Sequence, residues 1–142
     1  MSESLKVVFD TQIYLRAAIN STSICGRLFS DWTEEYTLCV ADEIEAEIID
    51  VLTRSKLRAK FPQITDETVT KVKSTFAKAE RFKLKNIPAI SRDPKDDIFL
   101  ACAKAAKALY LVSEDNDVLV LKQYEETAIV NALEFLAILE TR

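Results

Sequence analysis

Val7, Val8 and Phe9 form an apolar run that ends abruptly on an acid, Asp10, followed by Thr11 and Gln12. A carboxylate at the lip of a core strand is costly to bury alone, so it needs a cap, a lysine or a metal ion as partner. Asp115 and Asp117, in "LVSEDNDVLVL", follow a second apolar run in the same way. Asp96 and Asp97 lie in "RDPKDDIFLACA", in the first turn of an expected helix, and Glu47 lies one turn into another, "ADEIEAEIIDVL". Two carboxylates ~5 Å apart repel by roughly 3 kcal/mol at an effective dielectric of 20. Four that met would have to be protonated, paired with bases or bridged by a cation. The chain has no histidine, which removes Ser-His-Asp chemistry and imidazole acid catalysis. An oxygen-only donor set favours Mg²⁺ or Mn²⁺ over zinc.

Each acid also has a plainer reading. Asp93 suits a helix cap, and Asp42, Glu43, Glu45 and Asp50 suit a solvated helix start. Asp97 could face solvent, and Asp117 could form a turn with Asn116. Asp10 resists such dismissal because it is attached directly to a core strand.

The elements that would bring these acids together are readable from pattern. "YTLCVA" (36–41), "ALYLVS" (108–113) and "TAIV" (127–130) read as further strands. Ser21 or Ser23 caps a helix to about Glu35, and a long helix spans 42–61 until Pro62 ends it. Thr65 caps the next helix. "FKLKNIPAI" (82–90) reads as a short edge segment. Asp93 is expected as an N-cap with Pro94 at the first helical position, and Asn131 caps a terminal helix. Strands alternating with helices imply an α/β fold, a parallel sheet covered on both faces. In such sheets ligands bind beyond the carboxyl ends of the strands, where Asp10 and Asp115 would stand.

Composition sets the remaining bounds. The 142 residues are 49% hydrophobic and 30% charged, as expected of one globular domain spanning 1–142. No apolar run is long enough for a membrane helix, and the N-terminus lacks signal-peptide regions, so a cytoplasmic location without membrane contact is expected. Cys25, Cys39 and Cys102 read as buried thiols. The net charge of −4 is uneven: residues 54–85 hold ten Lys/Arg against three acids, a balance of +7, and the rest carries −11. Such a stretch suits a polyanion or, equally, a solvated helix face. A single glycine, Gly26, rules out Gly-rich phosphate loops.

On "VVFDTQ", "ADEIEAEIIDVL", "RDPKDDIFLACA", "YLVSEDNDVLVL" and "NALEFL", the chain resembles PIN-domain proteins, in the branch of VapC-type toxins. The resemblance implies a three-layer α/β/α fold with a short parallel sheet and a Mg²⁺- or Mn²⁺-dependent endoribonuclease. Asp10, Glu47, Asp96 and Asp115 would be the catalytic acids and metal ligands, with Asp117 auxiliary and Thr11, Gln12 and Ser113 in support. Asp97 takes the place of the family's Asn. The resemblance also implies an RNA substrate, a cognate antitoxin and a homodimer. Two positions depart from the pattern: Gln12 replaces the Asn of Asp-Thr-Asn, and Glu114 replaces the glycine of Thr-Gly-Asp, adding an acid beside the site. The alternatives are a non-catalytic PIN-like module that binds RNA or protein and, more remotely, another acid-metal phosphotransfer fold. A haloacid-dehalogenase-like site would need an acid where Gln12 stands, and a receiver domain a lysine after a late strand.

Overall fold

The computed structural model describes residues 5–87, 89 and 93–142. β1 (Leu5–Phe9) is followed by α1 (Thr11–Ile19) and α2 (Ile24–Ser30), then β2 (Tyr36–Val40), α3 (Asp42–Leu52), α4 (Ser55–Lys60), α5 (Asp66–Lys78) and β3 (Glu80–Arg81). α6 (Asp97–Ala106), β4 (Tyr110–Val112), α7 (Asn116–Leu119), β5 (Gln123–Tyr124), β6 (Thr127–Val130) and α8 (Ala132–Glu140) complete the chain.

The strands form one sheet in the order β3-β2-β1-β4-β6-β5, parallel except for β5. The chain builds outward from β1 through β2 to β3, then returns to the other side of β1 with β4. The strand order therefore reverses between β1 and β4, which opens a crevice at their carboxyl ends. Phe9 pairs with Val112, and the Asp10 N–H donates to the Val112 carbonyl at 3.1 Å. Asp10 thus stands opposite Ser113.

β1 is buried at Leu5, Val7, Val8 and Phe9, as an interior parallel strand requires. The Phe9 ring packs against Tyr14, Phe29, Tyr36 and Phe135, joining α1, α2, β2 and α8 to the strand that ends on Asp10. α6 packs against β1, β2 and β4. No helix among the described residues is long and apolar enough to cross a membrane.

Several elements differ from expectation. α1, not anticipated from the pattern, begins directly at Thr11 with Asp10 in the N-cap position, although the Asp10 side chain makes no cap hydrogen bond. Ser23 does cap α2 through the Gly26 N–H at 3.1 Å, but α2 ends at Ser30 rather than near Glu35. The expected long helix breaks at Thr53, whose hydroxyl donates to the Ile49 and Asp50 carbonyls at 2.8 and 3.1 Å and competes with the helical pattern. Thr65 is the N-cap of α5, where its N–H donates to the Thr68 hydroxyl at 3.1 Å. α6 starts at Asp97, with Asp96 as its N-cap residue rather than Asp93. Asp93 instead closes a local turn by accepting the Lys95 N–H at 3.0 Å, so Pro94 precedes the helix. The edge strand is only Glu80–Arg81, and Pro88 and Ile90 of the expected edge segment lie outside the described residues. α7 and β5 were not anticipated. Asn131 caps α8 as expected, accepting the Glu134 N–H at 2.8 Å.

The lone glycine is required by close approach. A Cβ on Gly26 would lie 2.3 Å from the Ser21 carbonyl oxygen, which is backbone and cannot swing away. Gly26→Ala is expected to destabilise the fold by about 2 kcal/mol, within the usual range for overpacking. A urea midpoint unchanged from wild type would contradict the close contact.

Candidate functional site

The carboxyl ends of β1 and β4 and the starts of α1 and α6 form one wall of a cleft of about 550 Å³, with α3 and α4 as the other. Asp10, Glu47, Asp96 and Asp115 all line it, together with Thr11 and Gln12. Strand registry places Asp10 and Asp115, a helix start places Asp96, and the second turn of α3 places half-buried Glu47.

Asp10 is 3% exposed. Burial is the main force on its carboxyl and raises it to about 7, against the lowering effect of the Ser113 hydroxyl and the amides of Ile13 and Gln12. The Ser113 hydroxyl donates to Asp10 Oδ2 and accepts the Asp115 N–H at 3.0 Å. One serine therefore ties the first acid to the fourth. Asp115 Oδ1 accepts the Asp117 N–H at 2.9 Å. The carboxyl of Asp96 is also pushed up to about 7, first by burial and then by the Asp115 charge beside it.

Two oxygens in this cluster stay unsatisfied: Asp10 Oδ1 and Asp96 Oδ2 are buried and accept no hydrogen bond. Leaving a buried acceptor empty costs about 1–3 kcal/mol, and more for a charged group. Hard oxygen donors with lone pairs that no hydrogen bond engages fit a divalent cation such as Mg²⁺ or Mn²⁺. Among the described residues, no three acids are drawn together tightly enough to cage an ion by themselves. An ion seated here would keep several waters, the habit of Mg²⁺.

The structure places three of the acids more closely. The Asp117 N–H donates to Asp115 Oδ1 at 2.9 Å, beside the residues that line the cleft. Asp97 is buried at 3% exposure rather than facing solvent. Glu114 does not add charge to the site, because its Oε1 accepts the Ala132 N–H of α8 at 3.1 Å and the side chain lines a separate hollow with Arg16 and Cys25. Glu114 also keeps an ordinary negative φ, so the position needs no glycine.

The basic stretch 54–85 divides rather than forming one face. Arg54, Lys56 and Lys60 line the cleft, joined by Lys95. Arg58 turns inward, donating to the Leu52 carbonyl at 3.0 Å and to Asp66 at 2.8 Å, which pins α4 between the end of α3 and the start of α5. Arg81 bonds Asp42 and Glu45, each at 2.6 Å, away from the cleft. Lys95 was overlooked in the sequence, although it sits between Asp93 and Asp96.

The cleft lies where the strand order of a mostly parallel sheet reverses, the place where open α/β domains bind ligands, and its lining is acidic on one side and partly cationic on the other. The chain belongs to the PIN domain family, whose family model matches residues 6–117. Its fold is similar to a chain of VapBC2 from Rickettsia felis bound to a DNA fragment from their promoter (14% identity, 89% of this chain and 98% of that one, TM-score 0.59). It is also similar to PAE2754 from Pyrobaculum aerophilum (12% identity, 97% and 91%, TM-score 0.59). A chain of DNA-bound VapBC from Salmonella typhimurium is similar as well (15% identity, 90% and 98%, TM-score 0.60). Comparison with curated proteins finds no match.

Proposed function

We propose that the protein is a Mg²⁺- or Mn²⁺-dependent endoribonuclease of the VapC kind, the toxin of a type II toxin–antitoxin pair. The observation that carries the reading is the pair of unsatisfied buried oxygens, Asp10 Oδ1 and Asp96 Oδ2, inside a cleft with cationic walls. Asp10, Glu47, Asp96 and Asp115 would hold the metal. Bound there, the metal would supply an activated water and charge neutralisation at the cleaved phosphodiester.

The chain's own residues do the rest. Ser113 fixes the rotamer of Asp10 and the amide of Asp115 with one hydroxyl. The Asp117 amide orients Asp115, and Thr11 and Gln12 line the cleft where α1 begins. Lys56, Lys60 and Lys95 draw the RNA backbone toward the acids, and Leu15, Val51 and Leu57 offer apolar surface between them. The similarity to chains of VapBC structures supports a partner antitoxin. We also propose a homodimer, and light scattering should give twice the 16.1 kDa of one chain.

Incubating a mixed RNA pool with the protein and Mn²⁺ should give fragments, and excess EDTA should stop the cleavage. RNA that stays intact with every divalent metal would remove the nuclease reading. The module that binds without cutting, a reading favoured by the absence of a ready three-acid cage among the described residues, would replace it. The cationic wall makes its own prediction. Lys56→Ala with Lys60→Ala should weaken RNA binding and flatten its salt dependence by about 1.4 in log–log slope, the loss of two phosphate contacts on a single strand. An unaltered slope would mean that the RNA runs elsewhere.

A further inference from the structure

Glu114 stands between two site residues in sequence but faces another neighbourhood. Ser113 turns its hydroxyl to Asp10, Asp115 enters the cleft, and extended-chain alternation sends Glu114 to the other side. There its Oε1 accepts the Ala132 N–H at 3.1 Å, at the first residue of α8. Asn131 already takes the Glu134 N–H of the same turn, so Glu114 satisfies a different orphan amide of the helix start. Its negative charge also suits that end of the helix. One residue earlier, the Ser113 N–H donates to the Val130 carbonyl at 2.9 Å, so two successive residues fasten the loop after β4 to the junction of β6 and α8. From this anchor, the Asp115 N–H reaches back to Ser113 and the Asp117 N–H to Asp115.

We propose that Glu114 is a positioning residue: its bond to the start of α8 sets the Asp115 carboxylate relative to Asp10 and Asp96. The catalytic consequence rests on the ribonuclease reading, whereas the mechanical one does not. If Glu114 were only a helix cap, its loss would loosen α8 and leave the acidic loop as it was.

Amide hydrogen exchange on wild type, Glu114→Ala and Glu114→Gln separates the two, alongside steady-state RNA cleavage in a Mn²⁺ series. Glu114→Ala should speed exchange at Ala132, Asp115 and Asp117 alike, by roughly tenfold, the scale of a lost local restraint. It should also lower kcat and raise the half-saturating Mn²⁺ concentration by about tenfold, with KM for RNA little changed, as expected for outer support of a metal site. Glu114→Gln keeps a carbonyl acceptor and should return exchange and kcat most of the way to wild type. Faster exchange confined to Ala132 and the first turn of α8 would overturn the proposal, as would a Gln variant as impaired as the Ala variant. If wild type cleaves no RNA, the ribonuclease reading fails by itself, and exchange at Asp115 and Asp117 still decides whether Glu114 positions the loop.

Discussion

Asp10→Asn is expected to abolish RNA cleavage, by at least ~100-fold, while making the metal-free protein more stable at pH 8. The two effects share one cause. The Asp10 carboxyl is raised from 3.8 to about 7 by burial, so the folded state holds its proton more tightly than the unfolded chain does. The stability linked to that proton is fully present below pH 3.8 and is lost as pH rises through about 7. At pH 8 the ionised, buried carboxylate opposes folding, on the order of 4 kcal/mol at the upper bound of about 1.4 kcal/mol per pKa unit. Asn removes that charge, can still accept from Ser113, and should raise the melting temperature at pH 8, by up to roughly 13 °C at that upper bound. At pH 4 the gain should largely vanish, because the wild-type acid is then protonated. A melting temperature that fell at pH 8 would mean that Asp10 is stabilised by contacts other than those described.

The second large effect is on metal binding as a function of pH. Asp10 and Asp96 are both raised to about 7, and a proton and a cation compete for the same oxygens. Both acids shed their protons more readily as pH rises through about 7, so apparent Mn²⁺ affinity should be clearly higher at pH 8 than at pH 6. The Mn²⁺-induced gain in melting temperature should therefore be small at pH 6 and large at pH 8. A gain independent of pH would show that other groups, not these two acids, hold the ion.

Asp10 and Asp115 were legible in the sequence because Asp10 directly follows an apolar strand and Asp115 stands three residues after another, and an α/β pattern sends such residues to one rim. Glu47 was legible through helical spacing and the family resemblance, and Asn131 through its capping chemistry. The failures were of two physical kinds. Some arose where local signals compete: Asp93 and Pro94 look like a helix start, yet Asp93 spends its side chain on the Lys95 amide and α6 begins later. Thr53 likewise interrupts a helix through hydroxyl bonds that no periodicity reveals. Others depend on contacts between distant residues. That Ser113 faces Asp10 follows from the β1–β4 register, 103 residues apart in sequence, and that Glu114 reaches Ala132 follows from the β4–β6 pairing. Sequence pattern showed which acids stand at the rim, but not which neighbour each one holds.

In the proposed function, the two unsatisfied oxygens of Asp10 and Asp96 take a divalent cation. Calorimetric titration of Mn²⁺ into wild type, Asp10→Asn and Asp96→Asn at pH 8 tests it without reference to RNA. Wild type should bind saturably, and each variant should lose affinity by at least ~10-fold, the scale expected when a direct ligand is removed. Equal binding by all three proteins, or none by wild type, would contradict it.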